Sequence, residues 1–519
     1  MESFISDFYK DKNVLVTGAT GFLGKVLIEK LLRSCSEMEG IYMLIRPLKN
    51  EAPQDRLDKI ADCKLYERVR QELPDFRNKL HAVKGDISEP ALGISQSDAA
   101  MLSSKINVVF HCAATIRFNA PLKTAMQLNV VGTRNMAHFC YNLKHLEAFV
   151  HVSTAYANCD RSYIEEVIYP PPVQPQKLIV AFEWMDDTMV TKLTPDLIGK
   201  RPNTYTFTKA CAEYILTQEA ADLPLAIVRP SIIGASWREP LVGWCDSLNG
   251  PSGIFASIGK GLLRTMRGDN NACADIIPVD LTANLMIAVA WDTAVSRSEN
   301  IPVYNSTSGG VNPFRWREIN TSLVKFARKH PFDEIFRLPN FTFTSNNFMH
   351  QYWRIVSHLT PAYLNDMFLR IIGQKPRAVK LYNKLEAAVE SYVYFTSHHW
   401  EWSHGNTDML WAKMGVEDKK IFVINSRGLH WPMFMENWML GIKKYLLKDD
   451  MDQLALARAQ LNKHRNIQWG FNTLLVVLFW RVLIAWTKNF PHQLLGFIWH
   501  LFSSLCFKSV QKLVSISSK

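Results

Sequence analysis

The chain has 519 residues, 48% of them hydrophobic and 21% charged, with a net charge of +11. That size suits two to three domains with large buried cores and excludes a disordered chain. No RNA- or DNA-binding motif is present, and much of the basic excess lies in the last third, so nucleic acid is excluded as a partner and a membrane surface is favoured.

The first twelve residues hold no apolar signal core, and nine cysteines are dispersed without a Cys-x-x-Cys pair. Both lead us to expect a catalytic part facing the cytosol or another reducing space. From residue 11 to about 310, short apolar runs alternate with helical patterns, which predicts a parallel sheet covered by helices. The predicted strands are Asn13–Thr17, Ile41–Arg46, Leu80–Lys84, Val108–Cys112, Ala148–Ser153, Leu225–Val228 and Val303–Asn305.

The first strand ends in Gly18, Gly21 and Gly24, with an apolar helical pattern behind them. The spacing is Gly-x-x-Gly-x-x-Gly, but the strand–turn–helix context is that of a dinucleotide site, with backbone N–H groups at a helix N-terminus facing a pyrophosphate. Thr17, Gly18, Thr20, Gly21, Phe22, Leu23 and Gly24 are the expected contacts. The second strand ends in Arg46, with Lys49 just behind; an arginine where NAD enzymes carry an acid favours the 2′-phosphate of NADPH. Asp86 after the third strand suits an adenine contact, and Ala113 after the fourth is small where the cofactor must pass.

Ser153 and Thr154 end the fifth strand. Tyr169-Pro-Pro-Pro-Val-Gln-Pro175 then reads as an irregular surface excursion. Tyr205 and Lys209 follow at i and i+4 on one helix face. A lysine ammonium beside a phenol lowers the phenol's pKa, fitting Tyr205 to act as general acid toward a carbonyl that receives hydride. The hydroxyl of Thr154, or of Ser153, then steadies the developing oxyanion.

From about 340 to 447 the chain becomes aromatic-rich and helical. These aromatics read as core first and as the lining of an apolar pocket second. His398, His399 and His404 are not spaced to share a helix face, and no metal is expected. Cys112 and Cys211 read as buried thiols. Two apolar segments close the chain, 469–486 and 494–507, with Lys/Arg on both outer flanks and only Lys488 between them. Each is short for a hydrocarbon core of about 30 Å, so a cytosol-facing hairpin is expected, either dipping into one leaflet or crossing a thin bilayer.

Together these segments resemble the extended short-chain dehydrogenase/reductases, and within them the alcohol-forming fatty acyl-CoA reductases. The resemblance is carried by residues 16–25, 42–47, 111–118, 129–133, 151–158, 203–209 and 228–231, and by the helical stretch ending at 438–445. It implies an α/β fold: a Rossmann-type doubly wound parallel sheet over 1–335, a mostly helical C-terminal domain over 336–447 and a membrane-associated tail over 448–519. It also implies two NADPH-dependent reductions of a long-chain acyl-CoA, first to an aldehyde with release of CoA, then to a primary alcohol. Tyr205 would donate the proton, and Lys209 would bind the nicotinamide ribose. Thr154, with Ser153 the alternative, would polarise the carbonyl, and Arg229, Pro230 and Ser231 would line the nicotinamide side.

The chain stops at Ser517-Ser-Lys519 without a peroxisomal Ser-Lys-Leu, so endoplasmic reticulum or a lipid-droplet surface is expected, with the peroxisomal membrane as alternative. The sequence does not fix an oligomeric state, and a homo-oligomer is compatible with it. Two rival readings stay open: another extended reductase, sterol-type or stopping at the aldehyde, and a non-catalytic membrane protein that kept the fold.

Overall fold

Seven strands form one parallel sheet: β1 (Asn13–Thr17), β2 (Gly40–Ile45), β3 (Leu80–Lys84), β4 (Ile106–His111), β5 (Ala148–Val152), β6 (Leu225–Pro230) and β7 (Val303–Ser306). A computed structural model describes residues 3–48, 50–450 and 454–487, which fall in two units, Met1–Leu454 and Ala455–Lys519. The strand order is β7-β6-β5-β4-β1-β2-β3. All seven predicted strands are present, with ends shifted by no more than two residues.

The sheet is buried on both faces, which is why its strands read as near-continuous apolar runs. Alternate residues serve opposite cores. Val14, Val16, Met43, Val108, Phe110 and Val150 join one cluster, which includes Leu27, Leu31 and Ile287 from the helices Phe22–Ser34 and Val279–Ser296. Leu15, Tyr42, Leu44, Val109, Phe149 and Ile227 join the other, with Met136 and Phe139 from the helix Gly132–Cys140. The order reverses between β1 and β4, so the loops leaving their C-terminal ends diverge and open a crevice.

Between β5 and the helix Thr204–Glu219, the stretch 169–174 is irregular, as its prolines predict. Pro175 then starts a helix that runs to Trp184, and Asp186 caps another at Asp187–Ile198. Proline suits a first helical position because its missing N–H would have no partner there. The later helices Asn347–Arg354, Thr360–Ile371, Ala378–Glu390, Gly405–Lys413 and Trp431–Gly441 give the expected helical character. Two short parallel pairings knit them to the sheet region: Thr342–Thr344 with Thr265–Arg267, and Glu401–Trp402 with Tyr163–Ile164.

In the second unit, Leu454–Thr487 is one helix of 34 residues, about 50 Å long. It contains the whole of the apolar segment expected at 469–486. Among the described residues it is the one helix long and apolar enough to cross a membrane, with a mean hydropathy of 1.6, and it marks the chain for membrane association. The segment at 494–507, and with it the expected hairpin, lies outside the described residues.

Candidate active site

The glycine turn sits at the mouth of the crevice. Gly18 has φ +70°, and a Cβ there would stand 2.7 Å from the Ala113 nitrogen. A Cβ on Gly24 would run into the Gly18 carbonyl, so the helix can approach β1 only without one. Gly21 begins the helix Phe22–Ser34 with no side-chain cap, a helix start of the kind whose first N–H groups can take an anion. Phe22 and Leu23 pack partly into the core beneath. Thr17 is fully buried: its Oγ1 meets His111 Nδ1 at 2.8 Å and accepts from the Ala113 N–H at 3.2 Å. It therefore ties β1 to β4 and does not itself face the crevice.

Arg46 is exposed, its guanidinium 3.8 Å from the Asp86 carboxylate. The other Asp86 oxygen accepts from the Ser88 N–H and hydroxyl at 3.0 and 2.7 Å. Arg56 is a residue that sequence reasoning missed. From the helix Pro53–Asp62 it donates to the Arg46 carbonyl at 2.6 Å and to Thr20 Oγ1 at 3.1 Å. The Arg56 guanidinium thus lies against the glycine turn, and that of Arg46 faces Asp86. Lys49 lies outside the described residues.

Asn203 caps the helix Thr204–Glu219 by accepting from the Thr206 N–H at 2.9 Å, which places Tyr205 in the first turn. Tyr205 is half-buried, and Lys209 is buried one turn on. Burial pushes the Tyr205 phenol up to about 12, and a hydrogen bond with Thr154 pulls against this. The Lys209 ammonium donates to the Val152 carbonyl at 2.6 Å, at the end of β5. The expected lowering of the phenol by Lys209 is therefore not what the geometry gives. The long lysine stem carries its charge to the strand end, and the phenol's own partner is Thr154.

Burial also presses Lys209 down to about 8, opposed by the nearby Glu213 carboxylate. Thr154 Oγ1 donates to the Pro230 carbonyl at 3.4 Å, so β5 and β6 meet here. Among the described residues, Ser153 Oγ and both ring nitrogens of His151 are buried without a hydrogen-bond partner. His151 stacks on His111 at 5.4 Å. Burial, then the Lys209 charge, holds His111 down to about 3 and lowers His151 well below the usual histidine range, so both rings are neutral at pH 7.

Arg229 does not line the nicotinamide side. It is fully buried and grips Glu213 through two bonds of 2.8 and 2.6 Å, and it donates to the carbonyls of Glu165 and Val167 at 3.0 and 2.7 Å. It anchors the excursion that follows β5. Asn129 lies in the segment 129–133 that carries the resemblance, but sequence reasoning assigned it no role. It is buried in a π-helical turn, Gln127–Val131, and bonds Thr115 N–H and carbonyl and the Thr208 hydroxyl. Helical periodicity gives no sign of such a turn, although π-turns recur at functional sites.

An aromatic wall faces Tyr205. The ring of Phe118 lies 5.7 Å from Tyr205, 5.7 Å from Tyr392 and 5.5 Å from Phe395. Tyr156 packs edge-on against Phe395, Trp400 and Trp402. Part of the aromatic set from the helical region thus reaches the site. His398 stacks on Tyr394, and His404 sits by Thr307; among the described residues no three metal-type side chains converge. The eight described cysteines are free thiols.

These residues fit a nicotinamide cofactor: a cradle no Cβ can share, an uncapped helix start, an orphaned serine hydroxyl and a lysine cation lie along the C-terminal edge of the sheet. An NAD-binding family model described as male sterility protein matches residues 16–286, and a second of the same description matches 357–449. Fatty acyl-CoA reductase 1 is 51% identical in Xenopus laevis and 49% in Homo sapiens, over 504 residues and 97% of each chain. Fatty acyl-CoA reductase 2 of Mus musculus is 45% identical over 508 residues, 98% of each chain.

In fold, the chain is similar to the reductase domain of a non-ribosomal peptide synthetase from Mycobacterium tuberculosis. The TM-score is 0.56 at 19% identity, covering 85% of this chain and 96% of that one. The terminal R domain of the myxalamid pathway gives 0.55 at 17%, covering 83% and 90%. A nicotinamide-binding sheet matched over residues 16–286, with relatives near half identity along almost the whole length, leads to one conclusion: the chain belongs to the fatty acyl-CoA reductases, a family of extended short-chain dehydrogenase/reductases.

Proposed function

We propose that the chain reduces long-chain fatty acyl-CoA to the primary alcohol, releasing CoA, with two equivalents of NADPH and an aldehyde between the two steps. The near-full-length identity to fatty acyl-CoA reductases carries this reading. The bound cofactor supplies the hydride. Thr17, Gly18, Thr20, Gly21, Phe22, Leu23 and Gly24 form its cradle, Thr17 from behind, with Asp86, Ala113 and Pro230 along its path. Arg46 and Arg56 select NADPH, because two guanidiniums at the rim complement a 2′-phosphate dianion.

Tyr205 holds its proton throughout the neutral range, as an acid with a pKa of about 12 must, and gives it to the carbonyl oxygen as that oxygen gains charge. Thr154 hydrogen-bonds the same oxygen, with Ser153 the alternative donor. Lys209 holds the nicotinamide ribose. The wall of Phe118, Tyr392 and Phe395 accepts the first methylenes of the acyl chain, each worth about 0.8 kcal/mol when buried. The apolar C-terminal helix supports work at a membrane, where long acyl chains and their alcohols collect. Endoplasmic reticulum or a lipid-droplet surface is the compartment proposed, with the peroxisome as alternative.

Incubating the full chain with NADPH and acyl-CoAs of graded length tests the reading. Two NADPH consumed per CoA freed, with alcohol as product, is the expected result. One NADPH per CoA with accumulating aldehyde restricts the chain to the first step. No turnover with any acyl-CoA removes the proposal.

A further inference from the structure

The helices Asn347–Arg354 and Thr360–Ile371, joined by the π-turn Ile355–Leu359, carry an apolar face that no other described element of the first unit covers. Phe348, Tyr352 and Ile355 follow i, i+4, i+7 spacing and are 80%, 48% and 51% exposed. Leu364, Phe368 and Ile371 repeat the spacing at 56%, 58% and 74%. A surface helix ordinarily turns its apolar stripe to the core. Here Asn347–Arg354 buries no residue at all. The six side chains leave roughly 600 Å² of apolar surface in contact with solvent, the upper edge of what a soluble monomer shows in one patch.

Charge identifies what fits this face. Lys375, Arg377, Lys380 and Lys384 are exposed along the segment that leads into and through the next helix, Ala378–Glu390, and form no ion pair with any described residue. The acids of the same stretch are all engaged. Asp366 accepts from the N–H groups of Arg377, Ala378 and Val379, Glu386 pairs with Arg354, and Glu390 pairs with Arg267. The uncompensated charge is positive. A second copy of the chain would bring the same cations to the contact and be repelled. An exposed apolar stripe with a tyrosine in it and a lysine/arginine rim matches an anionic lipid interface.

The same chain carries the apolar helix Leu454–Thr487, which would keep a bilayer at high local concentration. The helix Ala378–Glu390 leads directly to Tyr392 and Phe395, whose rings touch Phe118 beside Tyr205.

We propose that residues 347–384 form a second membrane contact, an in-plane surface that seats on anionic phospholipid, separate from the C-terminal helix. Its apolar stripe enters the headgroup boundary, and Lys375, Arg377, Lys380 and Lys384 meet lipid phosphates and carboxylates. The proposal does not depend on the reaction catalysed.

The test uses the full chain reconstituted in vesicles of phosphatidylcholine, with or without phosphatidylserine. A nitroxide is attached at Phe348→Cys or Phe368→Cys, with Glu72→Cys on the sheet region as the aqueous control and the unlabelled background subtracted. In serine-containing vesicles the labels at 348 and 368 are expected to collide more with lipid-soluble oxygen than with an aqueous nickel chelate, whereas the label at 72 does the reverse. Lys375→Glu, Lys380→Glu and Lys384→Glu together should return the 348 label to water. Should that variant fail to fold, the comparison of the two lipids alone decides the question. Labels that stay aqueous in both vesicles overturn the proposal. So do labels shielded from both reagents in vesicles and detergent alike, which would mean that a second copy or another part of the chain covers the face. Equal oxygen contact in both lipids overturns the role of the cations.

Discussion

Replacing Lys209 by methionine should make the protein inactive and more stable. The side chain is buried, and its pKa falls from an ordinary 10.5 to about 8. That difference corresponds to a cost of roughly 3 kcal/mol for holding the charge in the interior at neutral pH. Methionine keeps the length of the stem and removes the charge. It also loses the bond to the Val152 carbonyl, which returns about 1 kcal/mol of the gain. The net stabilisation at pH 7 is then about 2 kcal/mol.

The sign reverses the usual expectation for a lysine proposed to hold a cofactor, and pH checks it. Below about pH 8 both folded and unfolded wild type carry the proton, and the cost stands in full. Between about 8 and 10.5 the unfolded chain binds a proton that the folded chain has released, so wild-type stability climbs across that window. The advantage of Lys209→Met therefore shrinks to near zero by about pH 10. Tryptophan-fluorescence melts of both full-length proteins in detergent at pH 7 and pH 10 measure this. A rise of roughly 3 °C at the lower pH, fading at the higher, is expected. A variant that melts below wild type by the same margin at both values would refute the argument.

Four further substitutions separate the parts of the site. Tyr205→Phe should lower turnover by about 10² to 10⁴ while NADPH binding, followed by fluorescence, stays intact; unchanged turnover takes Tyr205 out of the mechanism. Arg56→Ala removes a charged contact worth about 1.5 to 3 kcal/mol and should raise KM for NADPH roughly tenfold or more with little change for NADH; equal effects on both cofactors would show that Arg56 only braces the glycine turn. Gly18→Ala puts a Cβ against Ala113 at a φ of +70° and should weaken cofactor binding at least tenfold, through about 1–2 kcal/mol of strain plus the clash; an unchanged Kd would detach the turn from the cofactor. Glu213→Gln leaves the buried Arg229 without its anion and should destabilise by about 3–5 kcal/mol; a thermal midpoint within error of wild type would show the pair to be dispensable.

The sheet was legible because a strand buried on both faces writes itself as an apolar run, and a strand–glycine–helix junction has few other uses. Tyr205 and Lys209 were legible as residues, but their electrical relation was not. Spacing puts both on one face and says nothing of where a four-carbon stem ends, and the Val152 carbonyl that receives it comes from a strand more than fifty positions earlier in the chain. Arg56 was invisible for a similar reason. It lies in an exposed, charge-rich helix, and only the return of that helix past the glycine turn brings it to Thr20. Asn129 depends on a π-turn, a local change of helical period that an apolar pattern read at 3.6 residues cannot express. Arg229 followed a strand into a motif with a proline and a serine, and its direction was set by an acid on another helix.

The division of charge around Glu213 is what gives Lys209 its character. Glu213 lies four residues beyond Lys209 on the same helix, the spacing at which such pairs ordinarily neutralise each other. Here both of its oxygens are held by Arg229 at 2.8 and 2.6 Å. The two imidazoles beside the site are neutral and contribute no anion either. Lys209 is thus left as a cation with a carbonyl for a partner, in an interior where its charge is costly to hold. A group in that condition gains most from whatever oxygen-rich surface is brought to it, since binding then relieves a cost already present in the fold. The Arg229–Glu213 pair, buried behind the site, maintains that imbalance by holding the nearest carboxylate in bonds of its own.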